Sequence, residues 1–220
     1  GVQTCALPIW FRRLQQAIQT DELNRCQGAA REIAFALAQE PMVDTLLTAH
    51  ARGEIPERTT HNDTKFNNVM LDLQTGEAMC VVDLDTVMPG LVLYDFGDMV
   101  RTTTSRTAED ETYLDRVEME MPLFQSLARG YLEATRGFLT PAEKKYLVLA
   151  GALITYTIGI RFLTDYLEGD TYFRVHRPDH NLDRCRKQFK LVQSIQRQSD
   201  AMQRQIDLLY TPGKSTAPPG

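Results

Sequence analysis

Apolar residues recur every three or four positions along most of the chain, a spacing that predicts amphipathic helices. Before residue 50 this spacing appears at Leu14 and Ile18, again at Ile33 and Leu37, and again near Leu46. The first quarter of the sequence is therefore predicted to be helical.

The segment Thr140-Pro141-Ala142-Glu143 has the residues of a helix start. Thr is a good cap, Pro suits the first turn, and Glu three positions after the Thr completes a capping box. An apolar stripe from Tyr146 to Leu167 follows, which predicts a long buried helix. A second long, amphipathic helix is predicted from about Leu182 to Leu209.

One part of the chain has the pattern of a sheet. The runs "NVMLDL" and "AMCVVDLD" are short and apolar, and "QTGE" between them suits a tight turn. Together they predict one β-hairpin at about residues 69 to 84. We expect no other sheet.

Composition places the chain among ordinary globular proteins. It has 220 residues, of which 43% are hydrophobic and 24% charged, enough for one domain with a continuous core. A net charge of -5 argues against nucleic-acid binding, which uses clustered Lys and Arg. We identify no apolar run near the roughly 20 residues that a membrane-spanning helix needs, so no membrane partner is predicted.

The positions of the cysteines indicate the cellular location of the protein, and the composition of the two chain ends indicates the limits of its domain. Cys5, Cys26, Cys80 and Cys185 lie far apart with no C-x-x-C pair, which predicts free thiols in a reducing cytoplasm. Residues 1–9 can be back-translated into a common sequencing adapter, so we expect them to be an artefact. Residues 211–220 are rich in Pro and Gly and predict a loose tail. The domain is expected to span 10–210.

The stretch "THNDTKFNNVM" runs directly into the predicted hairpin and carries His61, Asp63 and Asn68. Asp83 lies at the far end of the second strand, and a hairpin would bring it close to Asn68 in space. Two carboxylates and an amide oxygen suit Mg²⁺, which takes one or two carboxylates together with substrate phosphates. Phosphoryl transfer uses such a set, with one aspartate to deprotonate the attacking hydroxyl.

These residues carry a resemblance to a known family. "HNDTKFNN" has the H-x-D-x-x-x-x-N spacing of the catalytic loop in the aminoglycoside phosphotransferase and choline kinase superfamily, and "VVDLD" resembles its metal-binding strand end. The stretches "VVDLDTVMPGLVLYDFGDMVRT" and "GIRFLTDYLEGDTYF" are similar to N-acetylhexosamine 1-kinases. Those bacterial enzymes phosphorylate the anomeric hydroxyl of GlcNAc or GalNAc from ATP. The similarity covers about residues 10 to 210.

The resemblance implies an α+β, predominantly α-helical fold, the carboxyl-terminal lobe of a protein-kinase-like enzyme, with the small hairpin beside the catalytic loop. It implies that Asp63 is the catalytic base and contacts the substrate, and that Asn68 and Asp83 bind Mg²⁺ on the phosphates of ATP. It also implies that Arg161 and Tyr172 face the sugar.

Three further residues are expected to support the site: His61 within the loop, Asp85 beside the metal, and Asp95 as a brace for the loop. Each assignment has a plainer alternative. Asp83 and Asp85 share one face of an extended strand, so either could be the ligand. Asp95 could instead cap a helix, and Arg161 could be a structural ion-pair partner.

Kinases of this superfamily cover ATP with a second lobe that carries a phosphate-binding loop and a strand lysine. The glycines before Asp63 are Gly1, Gly28 and Gly53, which cannot form such a loop. We therefore expect that the ATP-covering lobe is missing and that this chain alone is inactive.

Sugar and ATP are the expected partners, and the sequence leaves the particular hexosamine and the oligomeric state open. The main alternative is a non-catalytic domain that binds a sugar or a partner through a kinase-like fold. A kinase for another small alcohol is also possible on these residues. A metal-dependent hydrolase is weaker, because two-metal sites need more clustered ligands than this loop supplies.

Overall fold

A computed structural model of the protein describes residues 7–210. Within this range helices predominate and the strands are short, as an α+β fold with mainly helical content requires. The elements, in chain order, are α1 (Leu7–Thr20), α2 (Ala30–Ala38), α3 (Thr45–Ala51), β1 (Arg58–Thr60), β2 (Val69–Leu71), β3 (Ala78–Val81), β4 (Met88–Gly90), α4 (Val92–Thr103), α5 (Met121–Thr135), α6 (Pro141–Leu167) and α7 (His180–Tyr210).

The predicted start of α6 is confirmed. The backbone N–H of Glu143 donates to Thr140 Oγ1 at 3.1 Å, and the Thr140 N–H donates to Glu143 Oε2 at 2.7 Å. This capping box satisfies two of the donors that a helix start leaves without intrahelical partners. The second predicted long helix is α7, which begins at His180 and ends at Tyr210.

Helix α6 is the centre of the domain and packs most extensively against α7 and α4. Two glycines permit the close approach. A Cβ atom on Gly97 of α4 would lie 2.4 Å from the backbone oxygen of Ala150, and one on Gly159 would lie 2.6 Å from the Phe189 ring. No side chain fits between Gly97 and the α6 backbone, and none fits between Gly159 and the Phe189 ring, so the two glycines allow α4 and α7 to lie close to α6.

The strands form two separate antiparallel pairs. β2 and β3 make the predicted hairpin, with Val69 opposite Val81. The expectation of a single sheet is wrong, because β1 pairs with β4, Thr60 opposite Met88. Each of these strands has three residues, and 27 residues separate them in the chain. Neither has a local pattern long enough to predict a strand.

Helix α1 begins at Leu7, and its inner face buries Leu7, Phe11, Leu14 and Ala17. Residues 7–9, which belong to the segment expected to be an artefact, form the first turn of this helix. The rest of that segment, and the predicted loose tail at 211–220, lie outside the described residues.

Helix α6 is also long and apolar enough to cross a membrane by length and composition alone, contrary to the expectation that the chain has no such run. The most apolar stretch of α6 is 78% buried inside the domain. Burial against α4 and α7 accounts for its composition, because a central core helix is apolar on every side.

We predict that Gly97→Ala lowers the free energy of unfolding by about 1–3 kcal/mol, since the added methyl group forces α4 away from the α6 backbone. Thermal and denaturant unfolding measure this change. Gly130→Ala is the matched control, because a Cβ at Gly130 of α5 meets no described atom within 4 Å. It should leave stability unchanged or raise it, as alanine is the better helix former. Equal effects of the two substitutions would contradict the packing argument.

Candidate active site

The loop of residues 61–68 joins β1 to β2 and is held by Asp95, which lies in the first turn of α4. Asp95 Oδ2 accepts the backbone N–H of His61 at 2.9 Å, and Oδ1 accepts that of Asn62 at 2.7 Å. Thr64 Oγ1 donates to the Asp95 backbone oxygen at 2.7 Å. The helical core therefore fixes the backbone of the loop at three points.

Asp95 is largely removed from solvent. Burial raises its pKa, and the two backbone donors, His61 and Asn62, offset only part of that rise. The carboxylate therefore depends on both N–H groups to remain charged. The His61 ring lies on the other side of the loop, where Nδ1 accepts the Asp63 N–H at 3.3 Å and Nε2 lies 3.2 Å from the Val82 oxygen.

Asp63, Lys65, Asn68 and Asp83 form one group of side chains, here called the polar cluster. Asn68 Nδ2 lies 3.0 Å from Asp63 Oδ2 and 3.4 Å from Asp83 Oδ2. Lys65 Nζ lies 2.6 Å from Asp63 Oδ2 and 3.6 Å from Asp83 Oδ2. The three residues predicted to converge do so, and Lys65 places a positive charge between the two carboxylates.

Asp83 reaches the cluster from a left-handed backbone conformation, with φ 66° and ψ 53°. β3 has already ended at Val81, and Asp85 follows in a short 3-10 turn. The expectation that Asp83 and Asp85 share the face of one strand is therefore wrong. The Asp85 side chain is exposed, and among the described residues it forms no ion pair with the cluster.

The protonation of the cluster follows from its contacts. Burial raises the pKa of Asp63, but the hydrogen bonds from Lys65 and Asn68 lower it by more, so the net pKa lies below its ordinary value. The contact with Asp63 raises the pKa of Lys65. Asp63 is therefore a carboxylate and Lys65 an ammonium group at neutral pH.

The donor chemistry of the cluster fits a hard cation such as Mg²⁺. The two carboxylates offer oxygen ligands. Asn68 turns its Nδ2 toward both of them, so its amide must rotate before Oδ1 can bind a cation placed between them. No group of three or more His, Cys, Asp or Glu side chains that could hold a metal occurs among residues 7–210. A cation here would therefore need substrate oxygens as well, which is how Mg²⁺ binds in phosphoryl-transfer sites.

Asp63 also lines a cavity of about 280 Å³, here called the Asp63 cavity, which contains the two residues predicted to face a sugar, Arg161 and Tyr172. Arg161 Nη2 donates to the Tyr172 hydroxyl at 3.5 Å. Arg161 Nε is buried without a hydrogen-bond partner among the described residues. Arg161 therefore brings a positive charge to the cavity wall, with one buried N–H that makes no hydrogen bond within the described residues.

The cavity is also lined by residues that were not predicted from the sequence to belong to the site. Trp10 of α1 lies with its ring 4.8 Å from the Arg161 guanidinium and 6.5 Å from the Tyr172 ring. Asp98 and Arg101 of α4 also line the cavity, joined by an ion pair of 2.8 Å. Trp10 precedes the 61–68 loop by 50 residues, so nothing local in the sequence connects them.

A family comparison agrees with this geometry. The model of the phosphotransferase enzyme family, APH, matches residues 4–130, more than half of the chain, and the protein therefore belongs to that family. Membership indicates a kinase-type enzyme that transfers a phosphoryl group from ATP to a small molecule. The matched range includes the polar cluster and Asp95, whereas Arg161 and Tyr172 lie beyond it.

We predict that Asp95→Asn lowers the free energy of unfolding by about 1–3 kcal/mol, because the new amide turns an NH₂ group toward a buried N–H donor. Hydrogen exchange at the amides of His61 and Asn62 should become faster. The matched control is Asp72→Asn in the exposed hairpin turn, where the carboxylate also accepts two backbone N–H groups at 2.8 Å. Solvent can replace those bonds, so stability should hardly change. Unaltered exchange at His61 and Asn62 in Asp95→Asn would count against the brace.

Proposed function

We propose that this domain transfers the γ-phosphoryl group of ATP to the anomeric hydroxyl of an N-acetylhexosamine, with Asp63 as the catalytic base. One observation carries the proposal. Asp63 belongs both to the polar cluster, where phosphates and Mg²⁺ would bind, and to the wall of the Asp63 cavity, where an acceptor would bind. A reacting hydroxyl must lie at such a junction.

In the proposed reaction Asp63 accepts a hydrogen bond from the acceptor hydroxyl and directs its oxygen at the γ-phosphorus. A bond forms between that oxygen and phosphorus, the bond to the β–γ bridging oxygen breaks, and ADP leaves with the electron pair. The hydroxyl proton passes to the Asp63 carboxylate. Its lowered pKa suits a group that orients the hydroxyl, because the transition state of phosphoryl transfer is loose and demands little base strength.

Asn68 and Asp83 are the proposed Mg²⁺ ligands. A bound Mg²⁺ would supply positive charge to the phosphate oxygens. Lys65 lies between the same carboxylates and can donate to an anionic oxygen that enters the cluster. Asp95 and His61 keep the loop in place and have no contact with the acceptor in this proposal, and Asp85 remains outside the cluster.

The size of the Asp63 cavity supports a single-ring acceptor. Its volume of about 280 Å³ lies at the lower limit of ligand pockets, which range from about 300 to 1,000 Å³. One monosaccharide suits this volume better than an aminoglycoside with several rings. The polar residues Asp98, Arg101 and Arg161 on its walls suit an acceptor rich in hydroxyl and amide groups.

The charge next to Trp10 argues against a cationic acceptor such as choline. Quaternary ammonium groups bind on open aromatic faces. Here the Arg161 guanidinium already lies 4.8 Å from the Trp10 ring centroid, so a cationic ligand would meet a like charge. A neutral acetamido group can instead accept a hydrogen bond from the Arg161 guanidinium, which lines the cavity.

Exposed apolar side chains on the hairpin support a nucleotide-binding role for that surface. Met70, Met79 and Val81 are 55%, 70% and 50% exposed, although a two-stranded hairpin on its own is marginally stable in water. Met70 pairs with Cys80, the neighbour of Val81, so the exposed side chains lie on both faces of the hairpin. We propose that ATP and the ATP-covering part of a kinase pack around the hairpin. Residues 10–210 would then be the acceptor-binding lobe.

We predict that Asp63→Asn lowers kcat by about 10²- to 10⁴-fold, the usual share of a general base, with little change in the KM of the sugar. The assay is phosphate transfer from ATP to N-acetylglucosamine and N-acetylgalactosamine by the intact gene product, with the position of the phosphate determined on the product. Asp85→Asn is the matched control, an exposed carboxylate two residues from Asp83, and should retain near-normal kcat. Full activity of Asp63→Asn would exclude it as the base.

We predict that Arg161→Ala raises the KM of the hexosamine and leaves the KM of ATP unchanged. A hydrogen bond to a charged group contributes about 1.5–3 kcal/mol, which corresponds to roughly a 10- to 150-fold increase. Arg174→Ala provides the comparison, since Arg174 is exposed in the same loop region and does not line the cavity. A change in kcat alone would place Arg161 outside the sugar site.

A further inference from the structure

The connection between α6 and α7 brings Tyr172 to the Asp63 cavity, and one buried carboxylate holds this connection. Asp165, in the last turn of α6, is 2% exposed. Its Oδ1 accepts the backbone N–H groups of Thr171 at 2.9 Å and Tyr172 at 2.8 Å, and its Oδ2 accepts that of Phe173 at 3.0 Å. Three consecutive backbone donors therefore converge on one side chain.

A second layer of polar contacts holds the same loop. Asn181, fully buried at the start of α7, donates from Nδ2 to Asp165 Oδ2 at 2.8 Å and to Asp170 Oδ1 at 2.9 Å. Arg25 Nη1 donates to Asp170 Oδ2 at 2.6 Å and to the Tyr166 oxygen at 2.6 Å. The contacts join the loop to α6, to α7 and to the segment after α1.

The buried charge of Asp165 selects one loop conformation. No Lys, Arg or His among residues 7–210 forms an ion pair with it, and a buried carboxylate without donors is very unfavourable. Thr171, Tyr172, Phe173 and Asn181 supply those donors. Any other path of the backbone at 171–173 would remove up to three of them at once, so competing loop conformations are penalised strongly.

Tyr172 needs such support because its own packing is sparse. Its side chain is 61% exposed, and its contacts are the edges of the Trp10 and Phe173 rings and the long hydrogen bond from Arg161. Its place at the cavity is therefore determined by the backbone more than by burial of the ring.

We propose that Asp165 is a positioning residue of the acceptor site, which acts through the loop of residues 171–173 to hold Tyr172 against Arg161 and Trp10. The inference rests on the proposed function in taking the Asp63 cavity as the acceptor site. Asp165 does for this loop what Asp95 does for the loop of residues 61–68: a carboxylate on a core helix accepts consecutive N–H groups and fixes one wall of the cavity.

The test is Asp165→Asn in the intact gene product. The amide retains one acceptor oxygen but turns an NH₂ group toward the Phe173 N–H and Asn181, so the loop must rearrange. The KM of the hexosamine should rise about 10- to 100-fold, while kcat and the KM of ATP stay within about threefold. Hydrogen exchange at the amides of residues 171–173 should become faster.

Two comparisons separate positioning from general loss of stability. Glu32→Gln removes the charge of another partly buried carboxylate, which pairs with Arg186 at 2.7 Å and does not line the Asp63 cavity. This substitution should lower the melting temperature without changing the KM of the hexosamine. In a Tyr172→Ala background, Asp165→Asn should add little further to that KM. Fully additive effects of the two substitutions would overturn the proposal.

Failure of the two proposals can be told apart. If the wild-type protein phosphorylates no hexosamine, the proposed function is wrong, and unchanged exchange at residues 171–173 in Asp165→Asn would refute the positioning role independently. If the wild type is active and Asp165→Asn has a normal KM, the positioning role alone is wrong. If Asp165→Asn does not fold, Asn181→Ala decides the question, because it removes one donor to Asp165 and keeps the Asp165 carboxylate. Asn181→Ala should raise the KM of the hexosamine by a smaller factor.

Discussion

The hydrogen bonds from the backbone N–H groups of His61 and Asn62 to Asp95 are the contacts on which the site depends. Asp95 belongs to α4, and α4 lies against α6 at the distance that Gly97 permits. The path from the central helix to the loop of Asp63 therefore passes through one close backbone contact and two hydrogen bonds. Because the helix contact is close and the two hydrogen bonds are short and partly buried, a small shift of α4 moves the loop that carries Asp63.

The charged side chains on the two sides of Asp63 are paired in different ways. On the cluster side, the ammonium group of Lys65 lies between Asp63 and Asp83, and its hydrogen bond and charge lower the pKa of Asp63. On the cavity side, Asp98 is neutralised by Arg101, whereas Arg161 retains a free donor. The site thus provides charge where phosphates are expected and directional hydrogen bonds where a neutral acceptor is expected.

The walls of the cavity come from elements that are far apart in the chain. α1 provides Trp10, α4 provides Asp98 and Arg101, and α6 with its following loop provides Arg161 and Tyr172. The family match covers residues 4–130, which contain the polar cluster and also Trp10, Asp98 and Arg101 of the cavity. Arg161 and Tyr172 lie beyond the matched range, so the walls of the Asp63 cavity come from both parts of the chain.

The sequence by itself determined the features that neighbouring residues encode. The capping box at Thr140 and Glu143 spans three positions, the β2–β3 hairpin is defined by its own turn, and the spacing of Asp63 and Asn68 lies within one loop. Only the tertiary structure decided the pairing of β1 with β4, the left-handed conformation of Asp83 and the approach of Trp10 to Arg161. Trp10 and Arg161 are 151 positions apart and meet because α1 packs on α6. Such contacts depend on the summed burial of whole helix faces, which no short stretch of sequence contains.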